Sequence, residues 1–243
     1  MTVGMPNVYV ALDLPSELEA LHFVERMGDG CNHYKVGSQL FCAAGPQVVR
    51  QLVAAGKSVF VDLKFHDIPN TVERAVGVLA GLGASLCTVH AASGRTALAC
   101  AAAAAGSSLQ VFAVTALTSL SDEQWRDIGF ADPTLAQGAL RLAALAAEAG
   151  VHGVVCAAQE AVAIRERQVE LKLLVPGIRV SGTAAGDQAR IATPQEAVRA
   201  GADVLVIGRS VVQAPDPVAV LAQVQSDVER AWDAQGVQDE GRR

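Results

Sequence analysis

Ser58-Val59-Phe60-Val61-Asp62-Leu63-Lys64-Phe65 reads as a β-strand with two charges on one of its faces. Side chains alternate faces along a strand, so Val59, Val61, Leu63 and Phe65 share one side and Phe60, Asp62 and Lys64 the other. In a parallel barrel the outer face of each strand packs on helices and must be apolar. That fixes the valine set outward and turns Asp62 and Lys64 into the barrel, at the C-terminal mouth where this fold builds its active sites.

Outward from this strand, short β-branched runs alternate with longer Ala- and Leu-rich segments. Strands are expected at 8–14, 33–37, 58–65, 86–91, 110–117, 153–157, 172–175 and 204–208. Eight strands alternating with helical segments indicate parallel βα units, and eight closes a (β/α)8 TIM barrel. The 243 residues suit one such domain, 1–243, with a polar tail expected to fray from about 233. Helix ends agree with the reading. Gly56, Gly83, Gly150 and Gly201 each precede a strand, where glycine supplies the left-handed turn that stops a helix. Ser16 with Glu19, Asn70 with Glu73, and Thr193-Pro194 with Glu196 have the spacing of capping boxes.

The same face logic places other polar groups at the mouth. Val8, Val10 and Leu12 face the helices, leaving Asp13 on the interior side. Tyr34 and Val36 face out, leaving Lys35 and Gly37 inward. Asp13, Lys35, Asp62 and Lys64 therefore converge from three adjacent strands, and Asp67 follows in the loop His66-Asp67-Ile68-Pro69-Asn70-Thr71. Buried charges are expensive and seldom justified by stability alone, so this cluster points to function. Neighbouring carboxylates favour the ammonium form of Lys64. A Schiff-base lysine needs a free amine, so Lys64 is expected to act as proton donor and electrostatic anchor, which disfavours an imine-forming aldolase.

The loops after the last two strands read Pro176-Gly177-Ile178-Arg179 and Ile207-Gly208-Arg209-Ser210. Barrels commonly hold phosphate there. Glycine lets backbone N–H groups approach an anion, and arginine offers a planar fork. The stretch 179–194 is long and rich in small residues, the composition of a functional loop, with Gln188 placed to fold over a ligand. Thr118, after the fifth strand, can present its hydroxyl or backbone. His90 faces inward and reads as a hydrogen-bonded core residue, and His66 as a loop residue.

Composition excludes several classes. A net charge of −6 disfavours non-specific nucleic-acid binding. No stretch is apolar enough for about 20 residues to span a bilayer, and the first residues lack the basic region of a signal peptide. The five cysteines are odd in number and have no C-x-x-C spacing, which suggests a reduced, cytoplasmic protein without a metal site built on them.

Together these residues resemble the orotidine 5'-phosphate decarboxylase family, in its short bacterial-type branch. The resemblance is carried by Ala11-Leu12-Asp13, Lys35-Val36-Gly37, the run from Asp62 through Thr71, Leu117-Thr118-Ser119, Pro176-Gly177-Ile178-Arg179, Asp187-Gln188-Ala189-Arg190 and Gly208-Arg209-Ser210. It spans residue 8 to about 230, in the family's order. It implies cofactor-free decarboxylation of orotidine 5'-monophosphate to uridine 5'-monophosphate in pyrimidine synthesis, in a homodimer with sites at the subunit interface. By that resemblance Lys64 delivers a proton to C6, Asp62 lies near the departing carboxylate, and Lys35 with Asp67 completes the charged network. Asp13 and Lys35 would hold the ribose. Thr118 would meet the pyrimidine, and Pro176, Arg179, Gln188, Gly208 and Arg209 would surround the phosphate. Asp67 and Thr71 would come from the partner chain, with Ile68 beside them. Two rivals stand beside this reading. One is a magnesium-dependent sugar-phosphate decarboxylase or synthase of the same barrel group, which has glutamate where this chain has Lys35. The other is a catalytically silent nucleotide-binding barrel.

Overall fold

The computed structural model describes residues 4–180 and 190–240. Eight parallel strands close on themselves in sequence order. In the first half, β1 (Asn7–Ala11), β2 (His33–Gly37), β3 (Ser58–Phe65) and β4 (Leu86–His90) are followed by α1 (Glu17–Met27), α2 (Ser38–Ala44) with α3 (Gln47–Ala54), α4 (Pro69–Gly81) and α5 (Arg95–Ala105). In the second half, β5 (Gln110–Val114) leads to α6 (Asp122–Asp127) and α7 (Leu135–Glu148), and β6 (Gly153–Val155) to α8 (Ala158–Arg167). Then β7 (Lys172–Ile178) leads to α9 (Pro194–Arg199), and β8 (Val204–Ile207) to α10 (Arg209–Val212) and α11 (Pro217–Glu240).

The alternation read from the sequence sorts the core into two shells. Val8, Val10, Tyr34, Val36, Val59 and Val61 are buried in the layer between barrel and helices. Tyr9, Ala11, Phe60, Phe112, Val155, Leu174 and Val206 fill the barrel itself. Gly153 makes the inner packing possible: a Cβ there would lie 2.4 Å from the Lys172 carbonyl oxygen and 2.5 Å from a Phe112 ring carbon. At the N-terminal end of the barrel the interior closes with a polar chain, Tyr9 Oη to Ser58 Oγ at 2.8 Å and Ser58 Oγ to Ser85 Oγ at 3.0 Å.

Gly56, Gly83, Gly150 and Gly201 all have positive φ, between 73° and 92°, as their place after helices requires. Ser16 accepts the Glu19 N–H, and Thr193 with Glu196 forms a reciprocal capping box. Asn70 does not cap α4. Proline lacks an N–H and has φ near −65°, so Pro69 takes the first helical position and Ile68 becomes the N-cap, with no side-chain capping bond. Three strands stop two or three residues early: β1 ends at Ala11, β5 at Val114 and β6 at Val155. By contrast β7 runs on to Ile178, past a register shift where Gly177 takes φ 77°. At the C-terminal end α11 continues to Glu240, and Gln235 Nε2 donates to the Val198 carbonyl at 3.1 Å. Among the described residues no helix is long and apolar enough to cross a membrane.

Candidate active site

The C-terminal mouth opens as a cleft of about 550 Å³, floored by Ala11, Phe60, Val155, Leu174 and Val206 of the inner core. Its wall carries a row of alternating charges. Lys35 Nζ lies 3.0 Å from Asp13 Oδ1 and 3.7 Å from Asp62 Oδ2. Lys64 Nζ donates to both Asp62 oxygens at 2.9 Å. The side chains of Lys35 and Asp62 are 10% and 13% exposed, whereas Lys64 is 39% exposed at the lip.

Backbone detail builds this row. Gly37 pairs with Asp62 across β2 and β3, and a Cβ on Gly37 would lie 2.8 Å from Lys35 Nζ and 3.0 Å from Asp13 Oδ1. Only glycine leaves that pair its space. Beyond Asp62 the strand departs from simple alternation. Lys64 has φ 49°, the left-handed region that a non-glycine residue seldom occupies, and the β3–β4 register shifts between Val61 and Phe65. Its N–H leaves the ladder and donates to Thr88 Oγ1 at 3.0 Å, while that hydroxyl donates to Asp62 Oδ1 at 2.9 Å. Thr88 is thus a buried support for both charged groups. Sequence reasoning did not single it out, although a threonine between Cys87 and Val89 on an inward strand position was visible.

Burial alone would push the Asp62 carboxyl up. Lys64 and Lys35, together with hydrogen bonds from Lys64 and Thr88, outweigh it and hold the group below the usual carboxylate range. Asp62 is therefore anionic at neutral pH and fixed by three hydrogen bonds, two from Lys64 and one from Thr88.

The rest of the cleft's lining includes Thr118, Pro176, Gly177, Arg179, Gly208 and Arg209. Arg179 is 7% exposed, and its main chain is tied by its N–H to the Ala192 carbonyl at 2.9 Å. The cleft also contains Gln39 and Gln213, which sequence reasoning passed over because neither falls in a charged or glycine-rich run. Gln188 lies outside the described residues, as does most of the 179–194 stretch.

Asp67, Ile68 and Thr71 are not brought to this cleft. All three are exposed, and Asp67 Oδ1 accepts the adjacent Ile68 N–H at 2.7 Å. His66 is likewise exposed, its ring 5.3 Å from that of His90. His90 is half-buried rather than a core residue, and its Nδ1 accepts the Ala92 N–H at 3.3 Å. Burial, then the charges of His66 and Lys64, lower its pKa.

Fold and site together define a (β/α)8-barrel protein with a charge-lined mouth beside a glycine- and arginine-bearing rim. Within that class the chain belongs to the Orotidine 5'-phosphate decarboxylase / HUMPS family, whose model matches residues 6–224. It is 43% identical over 234 residues to the orotidine 5'-phosphate decarboxylase of Idiomarina loihiensis, covering 93% of this chain and 99% of the relative. It is 48% identical over 219 residues to that of Anaeromyxobacter sp. (strain K), covering 90% and 96%. Among solved structures, the orotidine 5'-phosphate decarboxylase of Lactobacillus acidophilus superposes with a TM-score of 0.82 at 34% identity, covering 92% of this chain and 99% of that one.

Proposed function

We propose that the protein converts orotidine 5'-monophosphate to uridine 5'-monophosphate and carbon dioxide, with Lys64 as proton donor. The observation that carries this reading is the Lys35–Asp62–Lys64 row, in which an ammonium at the lip is gripped by both oxygens of a buried carboxylate. Breaking the bond between C6 and the carboxylate releases carbon dioxide and leaves an electron pair on C6. A fixed ammonium stabilises that charge as it develops and then supplies the proton. Asp62 keeps Lys64 oriented and, being anionic, opposes a substrate carboxylate placed beside it.

Asp13 and Lys35 hold the ribose hydroxyls and Thr118 meets the pyrimidine edge. The rim of Pro176, Arg179, Gly208 and Arg209, joined by Gln188, takes the phosphate. Binding energy from that remote phosphate serves the reacting centre through orientation. The functional unit is a homodimer in the cytoplasm, in which Asp67 and Thr71, with Ile68, complete the partner's cleft. The exposure of these residues away from their own cleft supports that assignment.

The magnesium-dependent branch of the barrel group fits less well. The position where those relatives carry a glutamate holds Lys35, whose ammonium already bridges Asp13 and Asp62 and repels a divalent cation. The test is a spectrophotometric assay of the purified protein with orotidine 5'-monophosphate, run with and without chelator. Undiminished turnover in chelator is expected, and Lys64→Ala should abolish it while circular dichroism stays native. No turnover by the unaltered protein would overturn the assignment, and loss in chelator would favour the metal-dependent branch. Mixing inactive Lys64→Ala and Asp67→Ala chains should restore part of the activity if sites are shared between subunits.

A further inference from the structure

Thr118 reaches the cleft from the loop after β5, yet the group that fixes this loop stands behind the site. Leu117 to Leu120 form a turn closed by the Leu120 N–H on the Leu117 carbonyl at 3.1 Å, with Thr118 in its second position. Arg190, ahead of α9, donates from Nη2 to the same Leu117 carbonyl at 3.0 Å and from Nε toward the Thr118 carbonyl at 3.5 Å. Its Nη1 pairs with Glu160 Oε1. The other Glu160 oxygen accepts the Ala157 N–H at 2.9 Å, at the start of α8. One guanidinium thus joins the connections that follow β5, β6 and β7.

The pair is buried, with side chains 16% and 5% exposed for Arg190 and Glu160. Ion pairs so placed are a poor source of stability, because desolvation offsets much of the attraction and apolar residues of equal volume often do as well. Burial in fact pushes the Glu160 carboxyl up despite Arg190 beside it and the Ala157 N–H. What an apolar pair cannot supply is a rigid fork of donors aimed at two successive carbonyls. Lysine cannot supply it either.

We infer that Arg190 is a positioning residue for the reaction: through the Leu117–Leu120 turn it sets where the Thr118 hydroxyl meets the ligand, and Glu160 sets the angle of its fork. The inference rests on the decarboxylase reading of the cleft. Arg190 itself does not line that cleft, so its effect has to pass through Thr118.

A double-mutant cycle tests this. Arg190→Met keeps the aliphatic stem and removes the fork. Thr118→Ala removes the hydroxyl. Steady-state kcat and KM for orotidine 5'-monophosphate are measured for both variants and for the double, alongside thermal melts. Each single variant should lose about tenfold or more in kcat/KM, and the double should fall little below the worse single. A double whose loss is the product of the two singles, or an Arg190→Met whose only effect is a lower melting temperature, would overturn the inference. So would a silent Thr118→Ala. Should Arg190→Met fail to fold, Arg190→Lys retains the charge opposite Glu160 and should show the same non-additivity. Inactivity of the unaltered protein would instead fault the decarboxylase reading, which separates the two failures.

Discussion

Gly37→Ala makes the smallest possible addition to the charged row, and the structure allows its effect to be worked out. Gly37 has φ −92° and ψ −180°, which alanine adopts without strain, so the backbone should not move. The new methyl would lie 2.8 Å from Lys35 Nζ and 3.0 Å from Asp13 Oδ1. Ordinary contact begins at about 3.5 Å, so the ammonium must withdraw by several tenths of an ångström or more. Its 3.0 Å bond to Asp13 and its 3.7 Å approach to Asp62 cannot both survive. A hydrogen bond to a charged group contributes about 1.5–3 kcal/mol. At about 1.4 kcal/mol per factor of ten, that predicts a loss of roughly 10- to 150-fold in kcat/KM, mainly through KM if Asp13 and Lys35 hold the ribose. Stability should change little, because the methyl displaces only the ends of flexible side chains. Removing a glycine also stabilises by about 0.4–1 kcal/mol through the unfolded chain. The assay is steady-state decarboxylation beside a thermal melt. A variant that keeps its melting temperature and stays within about twofold of the parent kcat/KM would refute the role given to Lys35.

Three further outcomes are expected. Gly153→Ala drives a methyl into the Lys172 carbonyl and the Phe112 ring; backbone cannot yield as a side-chain tip does, so the cost should reach or exceed about 3 kcal/mol, a fall of roughly 6–12 °C in melting temperature. Asp62 has a depressed pKa, so its contribution to stability is fully present above the unfolded value of about 3.9 and is lost as pH falls through the lower folded value. Acid titration followed by circular dichroism should therefore show a stability gap between the parent and Asp62→Asn that is constant near neutrality and closes only in strong acid. Lys64→Gly should melt roughly 2–4 °C above Lys64→Ala, because glycine alone relieves the φ of 49°; equal melting temperatures would mean the backbone is not strained there.

The barrel was legible because its strands obey one rule at nearly every position. Val8, Val10, Val59 and Val61 face the helices and Phe60 faces in, so a two-residue period sufficed to turn Lys35 and Asp62 into the mouth. The rule was silent where the backbone stops following it. It placed Lys64 inward correctly, but nothing in the sequence announces the left-handed φ or the bond from its N–H to Thr88. Asn70 was misread because spacing to Glu73 was weighed above the conformational demand of Pro69. Arg190 and Glu160 lie thirty residues apart, and only folding brings their charges together. Asp67 and Thr71 were assigned to a partner's cleft through the resemblance and not through any strand rule, and one chain leaves them exposed outside its own cleft.

These departures share a physical sense. A strand in regular geometry would send the Lys64 N–H to its neighbour's carbonyl and carry the side chain straight along the pleat. Left-handed geometry costs about 1–2 kcal/mol for a residue with a Cβ, and persists only where the surroundings over-determine it. Here Thr88 receives the displaced N–H and both Asp62 oxygens receive the ammonium. The strain and the burial of Asp62 are thus offset by the same small set of contacts that hold the Lys64 ammonium on Asp62 at the lip of the cleft. A relaxed backbone would release the donor from its carboxylate, so the stability given up at this residue and the direction of its ammonium are two consequences of one geometry.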